Sequence, residues 1–337
     1  MVHESEMAAF CCDYPCRDPL RSRGTVSRLA YGFPPRNRAV AITIDDLPGA
    51  VPGSDKAAGS LHDLKRWNQG IVRTLRKHNA PALGLVIGMK LEVPGERDAR
   101  AAILTDWIKA GLDLGNHTYS HVHFSTTTLE KFEDDTLQGD VVTRAVVAAN
   151  SKSERYFRHP AFSLGPTPAH EQAFEKFLTS RGYDIAPVSV ENADYQFNDV
   201  LIDALAKKDK KRATAVRMSY LQYAQAMFDY TEKMSQQVFG RAIPQVLLIH
   251  DNAINAELLD TLLAQLEKRN YRFVSLGEAL QDPAYGRRSD FSGNLDRCYV
   301  CWESRLHAVG KGPEEHPSPP AWVTARFTEI RKASGDL

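Results

Sequence analysis

The chain has 337 residues, 43% of them hydrophobic, and its 42 basic and 42 acidic side chains leave a formal net charge of zero. That length and apolar content suffice for one large domain or two ordinary ones. The neutral balance gives no electrostatic case for nucleic acid or an anionic membrane surface, and no apolar run approaches the ~20 residues of a membrane span.

Residues 1–37 read as an irregular extension rich in Arg, Pro and Cys. Met1 to Met7 is acidic and no apolar core segment follows, so no signal peptide is expected in this chain. The five cysteines form two clusters, Cys11, Cys12 and Cys16, then Cys298 and Cys301. The first lacks Cys-x-x-Cys spacing, which favours unpaired or disulfide-bonded cysteines over a shared zinc.

An apolar, β-branched run, Ala39 to Ile44, then ends in the pair Asp45-Asp46, followed by Leu47-Pro48. This reads as a buried strand with acids at its C-terminal end, where Pro48 forbids continuation. Neighbouring acids in a regular strand point to opposite faces; at a strand end both can reach one site. Leu61, Leu64, Trp67, Ile71, Val72 and Leu75 then mark one face of a helix, and Ala82 to Gly88 a second strand. A helix over Glu96–Ala110 with Gly111 at its C-terminus precedes a short strand, Leu112–Asn116. A long helix, Leu129–Asn150, leads to a strand at Arg155–His159, a helix at His170–Ser180 and a strand at Tyr183–Val190. Residues 197–240 read as two or more helices separated by a charged turn, Lys207 to Arg212. The alternation resumes with a strand at Pro244–Ile249, a helix at Ala256–Arg269 and a strand at Tyr271–Ser275. The tail beyond Asp282 is Gly/Pro-rich without periodicity, and its Pro317 to Pro320 stretch with Trp322 is expected to pack on the surface.

Strand–helix alternation through about seven units signals a parallel sheet with helical crossovers. The fold class expected is α/β, with a distorted (β/α) barrel of about seven strands and a helical insertion before its last motif preferred to an open doubly wound sheet. Residues at the C-terminal strand ends then gather on one face. They are Asp45 and Asp46; Asn116, His117 and His121; Arg158; Glu191, Asp194 and Tyr195; and His250.

His117 and His121, spaced i, i+4, would share one side of a helical turn. Two imidazoles and the Asp46 carboxylate suit Zn²⁺ or a similar divalent ion such as cobalt or nickel, with positions left for water and substrate. Asp45 can then act as general base, and Arg158 can hold it ionised through a bidentate contact. His250 is placed to protonate a leaving amine, with Asp194 orienting it and raising its pKa. His123 and His159 are read as structural or solvent-facing.

Five elements in order resemble the polysaccharide deacetylase family, the NodB homology domain of carbohydrate esterase family 4. They are Thr43-Ile44-Asp45-Asp46, His117-Thr118-Tyr119-Ser120-His121, Arg158-His159-Pro160, Glu191-Asn192-Ala193-Asp194-Tyr195 and Leu248-Ile249-His250-Asp251. The resemblance covers roughly residues 38–280. It implies a distorted (β/α) barrel, an acetylated glycan as substrate and metal-dependent removal of an N- or O-acetyl group. It gives Asp45 as base, Asp46, His117 and His121 as metal ligands, His250 as acid, Arg158 positioning the base and Asp194 the acid. Leu248 would line the acetyl pocket, and the backbone N–H of Ala161 would help hold the oxyanion. It also suggests an exported protein.

The domain reading is therefore an extension (1–37), a deacetylase domain (38–285, insertion 196–242) and a tail packing on the barrel (286–337). Departures lie in the fourth motif, where Glu191 and Tyr195 stand for an aspartate and a tryptophan, and in Ala161-Phe162. The long Gln196–Ala242 stretch is expected to form a lid or wall over the groove. The altered motif keeps an O-acetyl esterase acting on acetylated xylan, or a deacylase of a small amide, in view as alternatives. A non-catalytic carbohydrate-binding relative would be expected to lose Asp45, His250 or a ligand, and none is lost.

Overall fold

A computed structural model of the chain describes residues 38–54, 57–152, 155–286, 302–312 and 314–335. The extension at 1–37 and all five cysteines lie outside these residues, as do the expectations attached to them.

Seven strands form one sheet among the described residues: β1 (Arg38–Leu47), β2 (Ala82–Val86), β3 (Asp113–Asn116), β4 (Tyr156–Phe157), β5 (Asp184–Ile185), β6 (Gln245–His250) and β7 (Tyr271–Val274). All pairings between them are parallel, in the order β5-β4-β3-β2-β1-β6, with β7 paired to the first half of β1. The ends of this order meet: Val190, just beyond β5, bridges in parallel to Leu247 of β6. The sheet therefore curls into the expected distorted barrel.

Helices α1 (Leu61–Lys77), α2 (Arg97–Lys109), α3 (Leu129–Ala149), α4 (Pro168–Ser180), α5 (Asp194–Ala206), α6 (Lys210–Phe239) and α7 (Ala253–Lys268) connect the strands. The chain closes with α8 (Leu276–Ala279), α9 (Trp302–Ala308) and α10 (Ala321–Ser334). The α1 stripe behaves as its spacing demands: Leu64, Ile71 and Leu75 are fully buried, and the Ser60 side chain accepts from the Asp63 N–H at the N-cap. A cap of that kind contributes about 1 kcal/mol.

Three expectations change. The strand expected over Tyr183–Val190 is split, pairing with β4 at 184–185 and with β6 only at Val190. Pro187 has no N–H to donate to a ladder, and the Ala186 and Pro187 carbonyls instead accept from the Arg158 guanidinium. The stretch over 196–242 does form two helices, α5 and the 30-residue α6, but Lys210 to Arg212 of the expected charged turn already belong to α6. Helix α6 packs against α5 and α7, burying Tyr220, Met227, Phe228 and Met234. It contributes no side chain to the cleft, so within the expected lid or wall only α5 lines the site. Finally, the tail read as aperiodic contains α9 and α10, and α10 packs along α5. Val323, Phe327 and Ile330 do have helical spacing, which the preceding run of prolines obscured.

Candidate active site

Strand β1 pairs with β2 in register through Ile44 and again at Leu47, with a shift between the two. Asp46 occupies that interval in the left-handed region at φ 70°. This irregularity breaks the two-residue alternation of side chains. Asp45 and Asp46, buried at 3% and 5% exposure, consequently line the same cleft.

His117 follows β3, but the segment to His121 is not the helical turn that the i, i+4 spacing suggested. Thr118 and His121 both have positive φ, 66° and 54°. Side chains set this loop: Asn116 Oδ1 accepts from Thr118 N, Thr118 Oγ1 from His121 N, and Asp135 Oδ2 from Tyr119 N and Ser120 N. The loop still brings the two imidazoles to a centroid separation of 5.0 Å. Beneath it lies Gly139 of α3; an added Cβ would be 2.6 Å from Thr118 C and 2.9 Å from Tyr119 N. Gly139→Ala gains about 1 kcal/mol of helix propensity but overpacks rigid backbone at ~1–3 kcal/mol. We expect a lower melting temperature and, because the His121 loop must move, metal affinity reduced by about tenfold. Thermal unfolding and metal titration of the variant check both.

The Nε2 atoms of His117 and His121 each lie 3.6 Å from Asp46 Oδ1. His117 Nδ1 is 2.8 Å from the Arg158 carbonyl. In the tautomer that donates this bond, Nε2 is left as a lone-pair ligand. Among the described residues Asp46 Oδ1 is buried with no hydrogen-bond partner. One carboxylate and two imidazole donors, all within 4.8 Å of one another, therefore fit a divalent metal ion.

Arg158 is fully buried, and its Nη1 donates to Asp45 Oδ1 at 2.6 Å. The contact to Asp45 is single rather than bidentate, because Nε and Nη2 donate to the Ala186 and Pro187 carbonyls. The guanidinium thus holds the split β5 segment and the acid together.

Asp194, the first residue of α5, is fully buried and surrounded by donors: His250 N, Asn252 Nδ2 and Asn255 Nδ2 on Oδ2, and the His250 ring on Oδ1. Burial alone would push the His250 imidazole down. The Asp194 carboxylate 2.7 Å from Nδ1 reverses this and raises it to about 10.

Leu248, Ala161 and Tyr195 line the same cleft. Ala161 is held at φ 49°. Its N–H makes no hydrogen bond among the described residues, which leaves it able to donate to a ligand. The Tyr195 ring meets His250 edge-on at 5.8 Å. His123 and His159 also line the cleft; His159, pushed down to about 3 by burial and by His117, is neutral.

Sequence reading missed three groups. Lys90 is fully buried after β2, its Nζ donating to the Gly49 carbonyl and lying 3.9 Å from Asp46 Oδ2. Burial works against ionisation of Asp46, but Lys90 and the surrounding histidines hold it well below the usual carboxylate range. Phe327 and Arg331 of α10 complete the cleft wall. The cleft encloses about 380 Å³. A separate groove of about 620 Å³ between α1 and α2 contains none of the strand-end residues.

A parallel (β/α) barrel with an Asp-His-His cluster and a carboxylate–arginine pair at its strand ends defines a barrel protein with a candidate metal centre. Residues 33–172 match the family model "Polysaccharide deacetylase", the family that the five strand-end motifs resemble. It is 20% identical over 257 residues to a peptidoglycan-N-acetylglucosamine deacetylase of Bacillus cereus, covering 75% of this chain and 93% of that protein. Among solved structures it resembles a polysaccharide deacetylase from Bacillus cereus, at 15% identity and a TM-score of 0.49 over 71% of this chain and 92% of that one. It also resembles a carbohydrate esterase family 4 pseudoenzyme from Bacillus anthracis, at 17% identity and a TM-score of 0.46 over 73% and 66% of the two chains.

Proposed function

We propose that the chain is a metal-dependent hydrolase that removes N-acetyl groups from the amino sugars of a glycan or glycan fragment. The observation that carries this is the buried, unpartnered Asp46 Oδ1 facing two histidine Nε2 atoms at 3.6 Å, with Asp45 alongside on its own arginine.

Asp46, His117 and His121 would hold the ion, for which zinc is the first choice and cobalt or nickel the alternatives. A divalent ion there supplies Lewis acidity toward the acetyl carbonyl and lowers the pKa of a coordinated water. Asp45, held in place by Arg158, takes the proton from the attacking water. The free N–H of Ala161 donates to the oxygen on which charge develops, and Leu248 offers an apolar surface to the acetyl methyl. His250, protonated and aimed by Asp194, delivers a proton to the departing amine.

The test is the metal content of the purified protein together with acetate release from chito-oligosaccharides, peptidoglycan and acetylxylan. Release from the first two supports the proposal, release from acetylxylan alone transfers the activity to O-acetyl groups, and release from none overturns it.

The raised His250 pKa gives a signed pH prediction. A general acid must be protonated, so activity is lost as pH rises through its pKa, and Asp194 holds that limb high. In Asp194→Asn we expect the alkaline limb of kcat/KM to move down by more than about one pH unit. The pH–rate profile of a variant that still melts cooperatively checks it; an unmoved limb would remove His250 from the acid role.

A further inference from the structure

We propose that the cleft accepts a terminal amino sugar or a short saccharide of one or two units, and not the interior of a polymer. The inference rests on the deacetylase reading and narrows its substrate.

The carrying observation is the wall that α10 builds. Its side chains meet three turns of α5: Phe327 packs edge-on against Tyr195 at 5.4 Å, Arg331 Nε donates to Asp199 Oδ2 at 3.0 Å, and Arg326 grips Asp203 with two donors. Positions 195, 199 and 203 share one face of a helix, and α10 packs on that face of α5. At its far end α10 is joined to the loop after β1. Ser334 Oγ donates to the Gly53 carbonyl, and Gly53 N donates to the same Asp199 Oδ2 that Arg331 holds. Asp199 is thus a shared node of helix α5, helix α10 and the β1 loop, at 2% exposure.

The wall runs from the α5 side of the site, past His250, to Ala50 and Val51 beside the catalytic acids, and all of these residues line the cleft. A polymer lying across a barrel mouth needs two exits, and on the α5 side Phe327 and Arg331 line the cleft. His123 and Phe162, from other loops, line the rest of the cleft. The enclosed volume, about 380 Å³, sits near the lower end of the ~300–1,000 Å³ range of small-molecule sites.

The experiment uses the full chain with N-acetylglucosamine and its β-1,4 dimer, trimer and hexamer, locating each lost acetyl by fragmentation mass spectrometry. We expect acetyl loss confined to one terminal residue and kcat/KM that does not rise beyond the dimer. Loss from interior residues, or a tenfold rise from dimer to hexamer, overturns the inference and leaves the deacetylase reading standing. The same saccharides are titrated calorimetrically into Asp45→Asn. Affinity that levels off at the dimer supports the inference, affinity that keeps climbing overturns it, and absence of binding overturns the deacetylase reading along with it. The double variant Arg326→Ala/Phe327→Ala, which loosens the wall, should raise hexamer turnover relative to dimer turnover at least fivefold; an unchanged ratio in a folded variant counts against the wall.

Discussion

Asp45→Asn, at the proposed general base, is expected to lower kcat/KM by about 10²–10⁴-fold, with metal retention at the proposed centre unchanged. The separation follows from the geometry. Asp45 Oδ1 is committed to Arg158, whereas the candidate ligand atoms belong to Asp46, His117 and His121. The substitution also leaves the fully buried Arg158 without its carboxylate. Breaking such a pair costs about 3–5 kcal/mol, partly offset here because the Ala186 and Pro187 carbonyls still accept from the guanidinium. A lower melting temperature with unchanged metal content and collapsed turnover is therefore the expected signature. Full turnover in the variant would remove Asp45 from the base role.

Asp46→Ala should abolish metal retention, with affinity reduced by more than the 10–100-fold that a second-sphere change costs. It should also destabilise the metal-free protein, because the buried Lys90 ammonium loses the carboxylate 3.9 Å away. His121→Ala provides the contrast. It removes a proposed ligand without unpairing Lys90, so it should lose metal while leaving the metal-free melting temperature closer to wild type. Metal analysis after dialysis, with thermal unfolding of both apo variants, checks the pair. Equal destabilisation of the two would show that Lys90 does not depend on Asp46.

Much of the barrel was legible because strands and helices impose different periods on apolar residues. β1, β2, β6, α1 and α7 all fall where runs and stripes put them. The strand-end residues were legible for a related reason: a parallel sheet sends every C-terminal strand end to one face, so position in the alternation substitutes for position in space. The His117–His121 loop shows the limit. The spacing brought the two rings together correctly but through the wrong backbone, since the loop is fixed by Asn116, Thr118 and Asp135 side chains. Lys90 shows another limit, because a lysine between apolar residues carries no periodic mark of its burial beside an acid.

The sequence by itself determined the alternating α/β architecture and the set of acids, histidines and arginine that meet at the barrel mouth. These follow from local pattern and from the one-sided delivery of strand ends. Tertiary structure alone decided how Asp45 and Asp46 reach one cleft, through the left-handed residue in β1, and what Lys90 and Arg158 hold. It alone also decided that α10, 127 positions beyond α5 at its start, walls that cleft. Those features depend on long-range packing and hydrogen bonds between segments whose separation along the chain leaves no periodic trace in either of them.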